Sequence, residues 1–280
     1  MQAAIKRIKS SLKSYYPETE ISSFSYLIIS KITGFSRTEI LVNKNTVFSA
    51  EQSNILENII TKLQNYIPIQ YILGETEFLG LTFHVNDSVL IPRPETEELV
   101  DWIRTENDNK ETLKILDIGT GSGCIAVSLK NEFPNSIVTA FDISEKALET
   151  AHHNADLNKM EVIFSKVDIL KVIDLEQKWD IIVSNPPYVT ESEKTGILAN
   201  VLNNEPHLAL FVPDNNPLLF YKKIAGFAQK HLLHNGKLYF EINREFGQST
   251  LDLLYKQNFS EIKLRKDMLG NDRMIRAIYK

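Results

Sequence analysis

Cysteine is nearly absent: Cys124 stands alone in the chain, so neither an internal disulfide nor a thiolate zinc site can form. Long apolar runs are missing too, since no stretch approaches the roughly 18 uninterrupted apolar residues of a membrane span. Positive charge is in deficit, with 31 Lys and Arg against 36 Asp and Glu and a formal net charge of -5. That balance argues against a protein that holds bare nucleic acid by bulk electrostatics, because phosphate contacts need a face rich in Lys and Arg; a local basic patch stays open. Histidines are few, six in all. His231 and His234 sit three apart on an expected helix with no carboxylate or Cys nearby, so they read as surface residues and no metal is expected. Cys124, between a glycine run and "IAVSL", reads as a buried packing residue rather than a nucleophile. The opening "MQAAIKRIKSSLKSYY" spaces Ile5, Ile8 and Leu12 at helical intervals without the apolar stretch of a signal peptide. A cytoplasmic protein with no membrane partner is expected.

What is present is enough for a packed core: 280 residues, 43% hydrophobic and 24% charged, suit one large domain with a small one attached. Residues 1–73 read as a helical bundle. Ser36-x-x-Glu39 and Ser49-x-x-Gln52 are capping-box patterns, and Ile55, Ile59, Ile60 and Leu63 recur at helical spacing after the second. Residues 74–88 change to alternation, with Phe78, Leu81, Phe83 and Val85 among polar residues and glycines, the pattern of a hairpin linker. "IPRPETEELV" then starts a helix, and residues 89–280 form the second domain. From Leu113, strand-like runs such as "KILDI", "SIVTAFD", "DIIVS" and "KLYFEI" alternate with helical ones, which predicts an α/β domain with a largely parallel sheet. "EIKLRK" and "RMIRAIYK" add an antiparallel pair at its end.

"LDIGTGSGC" closes the first of these strands. Gly119, Gly121 and Gly123, spaced by Thr120 and Ser122, let the backbone turn and approach a ligand with no Cβ in the way. The spacing is G-x-G-x-G; a dinucleotide fingerprint would need glycine where Cys124 stands. Asp142 ends the next strand, where an acid can accept from both ribose hydroxyls of a nucleoside, and ligands of such sheets bind at the carboxyl ends of strands. A structural turn and a helix-capping Asp are the bland alternative. The pattern resembles the S-adenosylmethionine site of class I methyltransferases. That resemblance implies that Asp168, in "KVDIL", lies with Ile169 beside the adenine.

"VSNPPYV" raises a second question of chemistry. Asn185 ends the strand "DIIVS" and is followed by Pro186, Pro187 and Tyr188; the prolines bias the backbone to extended conformations and stiffen the loop. The Asn oxygen and a proline carbonyl can accept both hydrogens of an –NH2 group. Such a grip suits a nitrogen whose lone pair is delocalised, and Tyr188 offers a ring to stack on a planar target. A plain β-turn with Tyr188 merely packed is the other reading.

N-P-P-Y occurs in amino-methylating enzymes acting on DNA adenine, RNA guanine and protein glutamine, so the motif leaves the substrate open. The linker "IPIQYILGETEFLGLTFHVNDSVLIPRPETEELV", with "DIGTGSG", "FDIS", "VSNPPYV", Glu205-Pro206 and "GNDRMIRA", closely resembles the PrmC/HemK family, the glutamine methyltransferases of peptide-chain release factors. The resemblance implies a class I methyltransferase fold, Rossmann-like with a seven-stranded sheet, a small N-terminal helical domain that docks the substrate, and a β-hairpin linker. It implies N5-methylation of the glutamine in the Gly-Gly-Gln motif of class 1 release factors by S-adenosylmethionine, leaving S-adenosylhomocysteine. By position, Gly119 to Gly123, Asp142, Asp168, Ile169 and Asn185 hold the cofactor. Asn185 to Tyr188 hold the glutamine. Arg93 and Glu95, in "PRPETE", help order a lid over the cofactor or else only start a capped helix. A monomer with no stable nucleic-acid binding is expected. The other readings are an amino-methyltransferase of a DNA or RNA base and a nucleoside-binding module without turnover.

Overall fold

The computed structural model describes residues 1–108, 112–171 and 175–280. Contacts divide them into two units, Met1–Gly74 with Leu198–Asn204, and Glu75–Ile197 with Glu205–Lys280. The first holds α1 (Gln2–Leu12), α2 (Glu18–Thr33), α3 (Arg37–Val42), α4 (Ala50–Gln64) and α5 (Ile69–Leu73). Both capping boxes form. Ser36 Oγ accepts from the Glu39 N–H at 3.3 Å while the Glu39 carboxylate accepts from the Ser36 N–H at 2.8 Å, and Ser49 and Gln52 exchange the same pair at 3.1 and 3.0 Å. Each box satisfies amides that a helix start leaves orphaned.

Ile8, Leu12, Ile28, Ile29, Ile60 and Leu63 fill the core of this unit. In α4 the inward stripe begins at Leu56; Ile55 is 45% exposed, a correction to the expected stripe. At 3.6 residues per turn the buried arc centres near Leu63, and Ile55 falls on its rim.

The second unit opens with an antiparallel hairpin, β1 (Glu75–Phe78) and β2 (Leu81–His84). Its turn residue Leu79 has φ 49, uncommon for a side chain of that size, and its N–H is anchored on Glu97 Oε1 at 2.9 Å. Glu97 belongs to α6 (Pro94–Glu106), where Pro94 costs the helix nothing because a first-turn N–H has no partner. Phe78 and Phe83 meet edge to face with centroids 6.0 Å apart, buried on the same side of the hairpin.

There follow β3 (Lys114–Ile118), α7 (Cys124–Glu132), β4 (Ile137–Asp142), α8 (Glu145–Leu157), β5 (Val162–Lys166), β6 (Trp179–Ser184), β7 (Val189–Thr190), α9 (Ala199–Asn204), which belongs to the first unit, α10 (His207–Leu210), β8 (Phe211–Val212), α11 (Leu219–His231), β9 (Leu232–Glu241), α12 (Gly247–Lys256), β10 (Phe259–Lys266) and β11 (Asp272–Tyr279). Seven of the strands form one sheet in the order β10-β11-β9-β6-β3-β4-β5. Strands β3, β4, β5, β6 and β9 run parallel, and β11 inserts antiparallel between β9 and β10. β10 carries two register shifts and a positive φ of 47 at Glu261. β7 and β8 pair in parallel as a short clip.

One face of the sheet is covered by α6, α7 and the hairpin through residues such as Leu99, Ile103, Val127 and Leu129. The other is covered by α11 and α12 through Tyr221, Ile224, Ala228 and Leu254. Strand connections run in opposite directions from the neighbours β3 and β6, so the crevice of this sheet lies beyond the carboxyl ends of those two strands. The glycine loop leaves one and N-P-P-Y leaves the other.

Candidate active site

Gly119 has φ 76, Gly121 φ 54 and Gly123 φ 81, a region that L side chains rarely adopt. The loop is tied down on its inner side. Gly119 N–H and Thr120 N–H donate to Phe141 O at 2.8 and 3.0 Å, and Thr120 Oγ1 donates to Asp117 Oδ2 at 2.6 Å. A Cβ on Gly123 would lie 3.1 Å from the Ala151 Cβ, whereas one on Gly119 or Gly121 would meet nothing within 4 Å. Gly123 thus serves helix packing, and Gly119 and Gly121 keep open the space in front of the loop. Asn154, fully buried on α8, steadies the same loop: its Nδ2 donates to Ser122 O at 2.8 Å and to His84 O at 2.9 Å, and its Oδ1 accepts from the His84 N–H.

Asp142 stands opposite. Its Oδ2 accepts from the Gly121 N–H at 2.9 Å and its Oδ1 from the Ser144 N–H at 2.8 Å. Burial pushes its pKa up while these amides pull it back. Each carboxylate oxygen keeps a further acceptor site for a hydroxyl. Asp117, behind the loop, is fully buried; burial raises its pKa to about 7 against the opposing Thr120 bond, and the Asp142 charge adds to the rise.

Asp168 is held ionised below its ordinary value by Lys171 Nζ at 3.0 Å, and its Oδ1 accepts from the Leu170 N–H. Asp142, Asp168, Ile169, the glycine loop from Gly119 to Ser122, Asn185 and both prolines all line one cleft, with Ile143, Val167 and Leu208 among its apolar walls, while Gly123 lies outside it. Two acids flanked by aliphatic surface, before a loop that presents no Cβ at Gly119 and Gly121, fit the ribose and adenine of S-adenosylmethionine.

N-P-P-Y divides. Asn185, Pro186 and Pro187 face the cleft, while Tyr188 is absent from its lining. The Tyr188 ring packs on the core beneath α11, and its hydroxyl donates to Glu241 Oε1 at 3.1 Å; burial drives its pKa well up. Asn243 Nδ2 donates to the Tyr188 carbonyl at 3.1 Å. Asn185 Nδ2 donates to Thr96 Oγ1 at 3.2 Å, and Thr96 Oγ1 donates to Glu241 Oε2 at 2.6 Å. Glu241 is 1% exposed at the end of β9. Burial raises its pKa, opposed by the Thr96 bond, the Arg273 charge and the Tyr188 bond.

Arg93 lines the cleft and its Nη2 donates to Glu205 Oε1 at 2.6 Å. Glu95 lies outside the lining; its charge acts on Glu241. Cys124 is buried, and burial pushes its thiol up to about 12, which suits packing and not attack. His231 corrects the sequence reading: it is 1% exposed, stacked on Phe227 at 4.1 Å with Nδ1 3.1 Å from Gln177 O. It ends α11 at the point where the helix meets the sheet, so its flat ring fills a core position. Among the described residues, no group of three His, Cys, Asp or Glu is placed to hold a metal, and no helix is long and apolar enough to cross a membrane.

Thr96 and Glu241 escaped the sequence reading although both stand in quoted motifs. A signal existed for Glu241, an acid closing the otherwise apolar "KLYFEI". For Thr96 there was none, because its partner lies 145 residues away.

A family model described as the Methyltransferase small domain matches residues 96–210, and one described as the PrmC N-terminal domain matches residues 3–74. The chain is 51% identical over 272 residues to the release factor glutamine methyltransferase of Flavobacterium psychrophilum, covering 96% of this chain and 95% of that one. To the protein of that name from Bacteroides thetaiotaomicron it is 46% identical over 271 residues, covering 96% and 97%. Of solved structures, a methyltransferase from Pyrococcus furiosus superposes with a TM-score of 0.52 at 21% identity, over 82% of this chain and 98% of that one. That last likeness concerns the fold alone.

Proposed function

This chain belongs to the family of release factor glutamine methyltransferases, and on that premise we propose that it methylates N5 of the glutamine in the Gly-Gly-Gln motif of class 1 peptide-chain release factors. The observation that carries the reading is the convergence of Gly119–Ser122, Asp142 and Asn185 with its two prolines on one cleft. When bound, S-adenosylmethionine supplies an electrophilic methyl, the carboxamide nitrogen forming its bond to carbon as the sulfur–carbon bond breaks to leave S-adenosylhomocysteine.

The residues of this chain do the rest by position. Asp142 accepts from the ribose hydroxyls, and Asp168 and Ile169 flank the adenine. Asn185 Oδ1 and the Pro186 carbonyl accept the two hydrogens of the glutamine –NH2, which favours a pyramidal nitrogen with its lone pair aimed at the methyl. Tyr188, expected to stack on the carboxamide, lies outside the cleft lining and instead braces the loop through its hydroxyl on Glu241. The methylated nitrogen sheds its proton afterwards, so no strong base is required. The helical unit, residues 1–73 in the sequence reading, is the docking surface for the factor, and the protein acts in the cytoplasm as a monomer.

The test is methyl transfer from labelled S-adenosylmethionine to purified release factor, beside a Gln-to-Ala variant of its Gly-Gly-Gln motif and duplex DNA. Label on the wild-type factor alone supports the reading. Label on DNA, or on the Gln-to-Ala variant as strongly, overturns it.

A further inference from the structure

We propose that Glu241 is a positioning residue for methyl transfer: through the Thr96 hydroxyl it sets which way round the Asn185 carboxamide stands, so that Oδ1 and not Nδ2 faces the substrate nitrogen. The inference rests on the proposed reaction. A carboxamide is nearly symmetric in shape, and turned by half a rotation it presents a donor where the reaction needs an acceptor. The two prolines fix the main chain of the loop but not the last torsion of the Asn185 side chain, which is intrinsically broad. Some polar neighbour must decide it.

That neighbour is Thr96, whose Oγ1 lies 3.2 Å from Asn185 Nδ2 and 2.6 Å from Glu241 Oε2. A threonine hydroxyl has one proton to give. Glu241 accepts through both oxygens, from Thr96 at Oε2 and from Tyr188 at Oε1, so the Thr96 proton goes to Glu241 and the hydroxyl oxygen is left as an acceptor. Only the nitrogen end of the carboxamide can donate to it, and the oxygen end is thereby turned to the cleft. The second oxygen of Glu241 accepts from the Tyr188 hydroxyl at 3.1 Å, so one carboxylate holds both ends of N-P-P-Y. Arg273 faces Glu241 as the opposing charge, with Glu95 as the like charge. Arg273 is itself tied to Asp267 at 3.2 Å and to the Ile242 carbonyl at 3.3 Å.

A buried carboxylate could instead be a strut between α6 and β9, and the test must separate the two. Single-turnover transfer to a purified release factor is measured for wild type, Thr96→Val, Thr96→Ser, Asn185→Ala and the double variant Asn185→Ala/Thr96→Val, with cofactor affinity by calorimetry. Thr96→Val keeps the shape and removes the hydroxyl; it should lower the rate about tenfold, the scale of one lost hydrogen bond, with half-saturation by factor and cofactor affinity within about twofold. Thr96→Ser should restore most of the rate. In the Asn185→Ala background Thr96→Val should cost less than about twofold more, since no carboxamide remains to be oriented. An unchanged rate in Thr96→Val overturns the proposal, as does a further tenfold loss (roughly, on the same scale) in the double variant.

A second readout needs no substrate: solvent exchange of the Asn185 side-chain amide protons in the cofactor-free protein. Thr96→Val should speed it, and unchanged exchange overturns the assignment of Nδ2 to Thr96. Should wild type label no release factor while this exchange result holds, the proposed substrate fails and the orientation of Asn185 stands.

Discussion

Arg93 Nη2 donates to Glu205 Oε1 at 2.6 Å, joining residues 112 positions apart beside one cleft. The Glu205 side chain is 1% exposed and that of Arg93 32%, so the pair is buried on one side only. Arg93→Ala leaves the carboxylate facing the Ile91 N–H at 3.4 Å, a weak bond. Breaking such a half-buried pair should lower stability by about 2 kcal/mol, less than a fully buried pair would lose because Arg93 is screened by water. Glu205→Gln, which keeps the shape and removes the charge, should cost about half as much. Urea unfolding of both variants checks the ranking, and midpoints equal to wild type would refute it.

Asn185 and Asp142 should separate chemistry from binding. Asn185→Ala removes an acceptor aimed at the reacting nitrogen and should lower the transfer rate about a hundredfold while cofactor affinity holds. Asp142→Ala removes the acceptor for two hydroxyls and should weaken the cofactor about ten- to a hundredfold, the worth of hydrogen bonds to a charged group. Calorimetry paired with single-turnover rates decides. Near-normal turnover by the first variant, or unchanged affinity in the second, contradicts the assignment of roles.

Asp117 links stability to pH. Its carboxyl is raised to about 7 in the folded protein, chiefly by burial, so between the ordinary carboxylate range and pH 7 the native state holds a proton that the unfolded chain has lost. Stability is therefore full below about pH 4 as far as this group is concerned and falls as pH rises towards 7. Asp117→Asn should flatten that decline, gaining on the order of 1–3 kcal/mol relative to wild type at pH 8 compared with pH 4. Denaturant midpoints across this range provide the check; parallel curves for the two proteins would exclude the effect.

The loop glycines predict opposite phenotypes. Gly123→Ala adds a Cβ 3.1 Å from the Ala151 Cβ at a φ of 81, and should destabilise the domain by about 2 kcal/mol or more. Gly119→Ala, also at positive φ but facing open space, should cost about 1 kcal/mol of stability and act mainly on the cofactor. Thermal melts with and without S-adenosylmethionine distinguish them: the ligand-induced rise in melting temperature should shrink for Gly119→Ala and persist for Gly123→Ala.

The parts of the fold that were legible in the sequence are those with a local cause. Capping boxes at Ser36 and Ser49 act over three residues, glycines at 119, 121 and 123 answer a backbone need at their own positions, and alternation of strand-like and helical runs marked out the parallel sheet. Reading failed where the cause was distant. The Glu241–Thr96–Asn185 chain spans separate strands and a helix, so no periodicity announces it, and the inward turn of Tyr188 follows from the same buried acid. His231 was misplaced because a ring can serve as core when sheet and helix enclose it, which its polarity alone does not forecast. Ile55 was misassigned by a fraction of a turn.

The two rims of the large sheet are unequal. β10 alternates Glu261, Lys263 and Arg265 and breaks register twice, so it is a poor template for a strand from another molecule. β5 is five residues long, unbroken, and turns Ile163 outward at 55% exposure. When the protein is crowded or partly melted, self-association should start at β5, and a lysine in place of Ile163 is the substitution that would guard it.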